Sequence, residues 1–170
     1  MLPIAKVGRR EDLGALLALD LGSKTGWAVA HQDGAITSGE WRLAPYGSGE
    51  PLGRRMLRFR QALIETGREN PIRQVVYEEV NFHSSGVLAS HLWGAWWGLL
   101  LAWCETHRIA YTGVQGKTLK KVFAGDGSAD KLAMIAAAEQ LGHAPGGDNE
   151  ADALAAMYWG LEREAHRSHT

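Results

Sequence analysis

Residues 16–29 read Leu16-Leu17-Ala18-Leu19-Asp20-Leu21-Gly22-Ser23-Lys24-Thr25-Gly26-Trp27-Ala28-Val29. Four apolar residues deliver one carboxylate, Asp20, and the chain then turns at once through the segment from Gly22 to Gly26. An apolar run bounded by glycine reads as a buried strand. A carboxylate at the end of such a strand is costly unless something cationic meets it. The two glycines leave room for a ligand's backbone or phosphate to come close. Aspartate is also common at turns, so on this stretch alone Asp20 reads equally as a turn residue or as a functional acid.

Outward from that stretch, the first strand is expected over residues 15–21 and a second over Gly26–Ala30. Gln32-Asp33-Gly34 forms a hairpin turn into a third strand, Ala35 to Leu43. Residues 45–51 have no period and two prolines, which makes them loop. Leu52 to Glu69 has helical spacing, and Asn70-Pro71 ends it. Ile72 to Val80 is a β-branched strand that closes on Glu78 and Glu79. Gly86 to His107 is a long helix with four tryptophans in eleven residues (93–103). Ile109–Val114 is a strand and Lys117–Phe123 a short helix. Asp130–Leu141 is a helix with Ser128 as N-cap, and Asn149–Glu164 is the last helix. Three antiparallel strands followed by alternating helices and strands predict an α/β domain with a five-stranded mixed sheet flanked by helices.

The chain has 170 residues, 45% of them hydrophobic and 22% charged, with a net charge of −1 and a pI near 6.7. Those figures suit one globular domain, with residues 1–13 as a loose N-terminal arm. A near-neutral chain is not a basic nucleic-acid binder as a whole, so any such partner needs a local patch. The single cysteine, Cys104, excludes an internal disulfide and suits the cytoplasm. The start lacks the apolar core of a signal peptide. The most apolar run, Leu92–Cys104, is too short to span a bilayer, so no membrane is expected.

Acidic residues stand at element ends: Asp20 and the Glu78–Glu79 pair at the ends of strands, and Asp148 and Asp152 at the start of the last helix, in the segment 146–157 (GGDNEADALAAM). Asp148 and Asp152 are four apart and share a helix face. Helix N-termini favour acids, which accounts for Asp148 and Glu150 without any further role. It does not account for Asp152, which opens an apolar run and should point inward. Several inward carboxylates repel one another unless a multivalent cation stands between them. Oxygen ligands without His or Cys point to Mg²⁺ or Mn²⁺ rather than zinc. Two such ions are the usual apparatus of phosphodiester cleavage, one activating the attacking water and the other stabilising the leaving oxygen.

The segments 18–29 (ALDLGSKTGWAV), 75–80 (VVYEEV), Gly125–Lys131 and 148–155 (DNEADALA) together resemble the RuvC-type Holliday-junction resolvases of the ribonuclease H-like superfamily, in their divergent phage or prophage branch. The resemblance runs in the family's order over residues 16 to about 160. It implies a ribonuclease H-like fold, with Asp20, Glu78, Asp148 and Asp152 as catalytic acids and metal ligands. It also implies a Mg²⁺- or Mn²⁺-dependent endonuclease with two ions per site, which cleaves a four-way DNA junction as a homodimer joined through the tryptophan-rich helix (about 86–107). Lys120 and Lys131 match lysines that touch phosphates.

Three positions depart from the family pattern. Asn149 stands where the bacterial enzymes carry an acid, which leaves Asp148 favoured over Glu150 to complete the set. Leu21 replaces a proline. Asn81 replaces the aromatic that wedges the junction, with Phe82 next along to substitute.

Beside the resemblance, Lys117, Lys120 and Lys121 share spacings of three and four and, with Lys131, read either as a solvated face or as phosphate contacts. Arg54, Arg55 and Arg58 read as solvated surface rather than a DNA track. His143 stands just before the last acids, where it could aid proton transfer. A ribonuclease H-like enzyme acting on RNA, of the ribosomal-RNA processing type, and a catalytically weak branched-DNA-binding protein are the alternative readings.

Overall fold

The computed structural model describes residues 14–44, 49–80 and 87–167. The expected N-terminal arm and Phe82 lie outside the described residues.

Five strands and five helices follow one another as β1 (Ala15–Asp20), β2 (Lys24–Ala30), β3 (Ile36–Arg42), α1 (Leu52–Glu69), β4 (Ile72–Glu79), α2 (Val87–His107), β5 (Ala110–Gln115), α3 (Gly116–Ala124), α4 (Lys131–Gln140) and α5 (Asp148–Arg167). The sheet order is β3-β2-β1-β4-β5. β1 pairs antiparallel with β2, and β2 with β3; β1 pairs parallel with β4, and β4 with β5. The α/β class and the mixed five-stranded sheet expected from the sequence are both present.

β1 is central because it can be buried on both sides: Ala15 to Leu19 are all at most 1% exposed. Strand side chains alternate between faces. Leu16 and Ala18 turn to the side covered by α3, α4 and α5, where Leu119, Met134, Leu154 and Met157 complete the core. Leu17 and Leu19 turn to the other side, against Phe59 and Leu63 of α1 and Trp96, Leu100 and Trp103 of α2. Each buried leucine, methionine or phenylalanine among them contributes about 1.5–3 kcal/mol on burial. Gly160 lets α5 press down on the sheet, since a Cβ there would sit 2.8 Å from the side chain of Leu16 and 2.9 Å from that of Val76.

The tryptophans of α2 are mostly spent on this core: Trp96 and Trp103 are buried and Trp93 is half-buried. Trp97 is the exception, exposed at 37%, and the rest of the outer stripe of α2 carries the small residues Ala95, Gly98 and Ala102. No helix among the described residues is long and apolar enough to cross a membrane.

Three local expectations need correction. The N-cap of α4 is Asp130, whose side chain accepts a hydrogen bond from the Ala133 N–H at 2.9 Å; Ser128 instead donates to Asp126 at 2.8 Å. Asp130 stands directly before the first helical residue, where a side-chain oxygen reaches the open N–H of the first turn. α5 begins at Asp148 rather than Asn149. The arginines of α1 are not all solvated surface: Arg55 is buried, and Arg58 donates to the Leu43 carbonyl at 2.9 Å and to Glu50 at 2.6 Å. The bond to Leu43 ties the second turn of α1 to the residue that follows β3.

Candidate active site

Asp20 closes β1, and the parallel register that sets Leu19 beside Tyr77 carries Glu78 to the same end of the neighbouring strand. Asp20 continues the alternation of Leu16 and Ala18, and Glu78 that of Val76, so both carboxylates face α5. Glu79 alternates to the opposite face. α5 crosses above them and contributes Asp152 from its second turn. One carboxylate oxygen from each of Asp20, Glu78 and Asp152 lies within 4.8 Å of the other two, and all three residues are half-buried.

Glycines make this convergence possible. A Cβ at Gly116 would overlap the Glu78 carboxylate, so the start of α3 can lie against that side chain only because it has none. A Cβ at Gly26 would overlap the Asn149 carbonyl group. The space beside Asp20 that the sequence suggested for a ligand is, at Gly26, taken by the first turn of α5. The glycine thereby sets where Asp148 and Asp152 stand.

Nearby lysines offset the crowded charges only in part. The Asp20 carboxyl is held well above the ordinary carboxylate range by burial and by the nearby charges of Glu78, Asp152 and Asp148. Burial, and then Asp152, push Glu78 up to about 6; burial outweighs Lys120 and takes Asp152 up to about 6. Three acids that resist ionisation side by side are what a divalent cation would relieve. An all-carboxylate donor set fits Mg²⁺ or Mn²⁺.

Asp148 lies outside that close cluster, although its charge reaches Asp20. It forms an ion pair with Lys131, which holds its carboxyl below the usual range. Glu150 points away from the acids and accepts from Ser38 Oγ at 2.6 Å and from the Gly146 N–H at 2.8 Å. His143 is also turned elsewhere. Its Nε2 lies 2.8 Å from the Tyr158 hydroxyl, six residues along α5 from Asp152, which is about 9 Å of helix rise.

Of the lysines read from the sequence, Lys120 stands near Glu78 and Asp152, and Lys131 stands at Asp148. Lys117 is exposed at the start of α3. Lys121 lines a cleft between α3 and α4 with Val122, Ala133 and Leu141.

Two basic residues escaped the sequence reading. Lys24 lies near Asp148, and Arg42 stands directly opposite Lys24 across the β2–β3 pair. Strand alternation was the available signal, since Gly26 pairs with Asp20 and Lys24 is two residues before it on the same face.

No family model matches the sequence, and no curated protein matches it either. Solved structures do. The chain is similar to a Thermus thermophilus RuvC structure with TM-score 0.66 and 22% identity, over 89% of this chain and 96% of that one. T. thermophilus RuvC in complex with a Holliday junction substrate matches with TM-score 0.72 and 21% identity, over 90% and 96% of the two chains. The yeast mitochondrial Holliday junction resolvase Ydc2 matches with TM-score 0.64 and 12% identity, over 99% and 85%. The sheet with three antiparallel strands, the flanking helices and these likenesses together establish a RuvC-type, ribonuclease H-like fold for this chain.

Proposed function

We propose that this protein is a divalent-metal-dependent endonuclease that cleaves phosphodiesters in branched DNA, with four-way junctions as its substrate class. The observation that carries this reading is the meeting of Asp20, Glu78 and Asp152, from β1, β4 and α5, within 4.8 Å on a RuvC-type fold. Of the similar structures, T. thermophilus RuvC is bound to a Holliday junction substrate and Ydc2 is a Holliday junction resolvase.

Asp20, Glu78 and Asp152 would hold Mg²⁺ or Mn²⁺, and Asp148 would complete the acidic set from the rim of the site, with a pair of ions matching four carboxylates. Bound there, the cations would activate the attacking water and stabilise the charge on the leaving oxygen. The chain's own contribution is to fix the acids on rigid elements and to keep them partly out of water, where their field is strongest. Lys120 and Lys131 flank the acids and would take phosphate oxygens of the strand being cut, with Lys117 and Lys121 further along α3. Phe82 would serve as the junction wedge. We place a homodimer contact on α2, at the outer stripe of Ala95, Gly98 and Ala102 beside the exposed Trp97, rather than at the buried Trp96 and Trp103.

The test is cleavage of a labelled four-way junction, a flap and an RNA hairpin in Mn²⁺, by wild type and by Asp152→Asn. Cutting of branched DNA by wild type alone supports the reading. An intact junction and flap with a cut RNA hairpin would move the protein to RNA processing, and no cutting of any substrate would make it a binding protein.

A further inference from the structure

Lys24 and Arg42 sit directly opposite each other at the open ends of β2 and β3. Like charges facing across an antiparallel pair, with Cβ atoms about 5 Å apart, repel one another. Glu40 stands beside Arg42 and Asp148 near Lys24, each on one cation, and a phosphate between the two would be held by both. Both are on the face of the sheet that carries Asp20, since the register runs Asp20 to Gly26 and Gly26 to Glu40. They extend that face beyond the first turn of α5. The Arg42 side chain is 75% exposed, so its outer edge is open to a large ligand.

Arg42 is also aimed. Its Nε lies 3.4 Å from Glu40 Oε1, while the other oxygen of Glu40 accepts from Asn149 Nδ2 at 2.9 Å. The guanidinium is thus tied through one carboxylate to the helix that bears Asp148 and Asp152. Position 149, which holds no acid here, spends its side chain on this link.

On the nuclease reading above, we infer that Lys24 and Arg42 form a seat for one backbone phosphate of the bound DNA strand, a neighbour of the phosphate addressed by the acids. β2 and β3 are the next two strands beyond β1, and strands lie about 4.8 Å apart. The seat is therefore roughly 5–10 Å across from Asp20, displaced along the DNA strand rather than placed at the bond being cut. Lys120 stands near the acids from α3, which follows β5 on the far side of the sheet. The two groups bracket the acids and set the path of the DNA strand across the strand ends.

The test measures junction binding in Ca²⁺ against salt, for wild type, the double variant Lys24→Gln/Arg42→Gln, the charge-preserving Lys24→Arg/Arg42→Lys, and Arg60→Gln on α1 as a distant charge control. Each phosphate contact contributes about 0.9 to the slope of log K against log salt, so a slope lower by about 1 in the double variant is expected. The charge-preserving variant should recover it, and Arg60→Gln should leave it unchanged. A scan of single methylphosphonate substitutions along the strand should then find one position, next to the cut, that weakens wild type and has no effect on the double variant. Unchanged slope and scan in the double variant, with wild type binding and cutting junctions, would overturn the seat while leaving the nuclease reading intact. A wild type that binds neither junction nor flap would overturn both.

Discussion

Lys131, the first residue of α4, pairs its ammonium with the carboxylate of Asp148, the first residue of α5, and so holds Asp148 at the rim of the cluster formed by Asp20, Glu78 and Asp152. A lysine in the first turn of a helix opposes the macrodipole, whereas an aspartate there complements it. The pair offsets the first of these with the second. It also divides the four acids unequally. Asp148→Asn should lower cleavage by about 10- to 100-fold, with Mn²⁺ affinity changed less, as expected for the outermost of the four ligands, whose carboxylate is shared with Lys131. Asp152→Asn should remove Mn²⁺ binding outright. Calorimetric Mn²⁺ titration of both variants decides this. Equal loss of affinity would make Asp148 a ligand of the same standing as Asp152.

The raised carboxyls make the metal-free protein sensitive to pH. Glu78 and Asp152 are each pushed up to about 6, above the ordinary carboxylate range of the unfolded chain. Groups raised in this way favour the folded state while protonated, so their contribution is fully present below about pH 4 and is lost as pH rises through about 6. The two acids together should therefore cost the metal-free protein a few kcal/mol at neutral pH relative to pH 4. Thermal melts in a chelator should show Tm falling over that window, with a shallower fall in Asp152→Asn. At pH 7.5, Mn²⁺ should raise the wild-type Tm; a rise of the same size in Asp152→Asn would place the cation elsewhere.

Much of this arrangement was legible in the sequence, and the illegible part has a common cause. β1 shows itself because a short apolar run, Leu16 to Leu19, is bounded by glycine as a buried strand is, and Asp152 stands out because an acid beginning an inward apolar run has no local reason to be there. The pairings of Asp148 with Lys131, Glu150 with Ser38 and Asn149 with Glu40 could not be read, because each joins elements whose distance depends on how α5 lies on the sheet. That height is set by Gly26 and Gly160, and a glycine in a sequence does not say which backbone or side chain comes close to it. α2 gave the opposite difficulty. It is apolar on nearly every side, so its pattern could not separate the core face from the outer one.

Gly26 offers a direct probe of that close approach. An alanine there would push its methyl into the Asn149 carbonyl group, and backbone cannot yield as a flexible side chain can. Overpacking of this kind costs about 1–3 kcal/mol. The shift would also lift the first turn of α5, and with it Asp148 and Asp152. Gly26→Ala should therefore lose Mn²⁺ affinity as well as stability, read by titration and by chemical denaturation at the same pH. Lost stability with full affinity would mean that the helix tilts about a point near its own N-terminus and leaves Asp152 in place.

The outer stripe of α2 supplies the remaining test, on the proposed homodimer. Among the described residues, a Cβ built at Gly94 or Gly98 meets nothing within 4 Å, so a side chain can leave the backbone there into open space. If two copies pack α2 against α2 through Ala95, Gly98 and Ala102, the absence of side chains lets the backbones approach closely, and a bulky charged group there would hold them apart. Gly98→Arg should then run as a monomer by light scattering at concentrations where wild type is a dimer. Its Tm should fall only at those same concentrations, because dissociation removes a mass-action term and no intramolecular contact. The variant should keep Mn²⁺ binding, since its Asp20, Glu78 and Asp152 belong to one chain. A wild type that is monomeric at all concentrations would remove the dimer from the proposal, and a Gly98→Arg dimer would move its interface to another face.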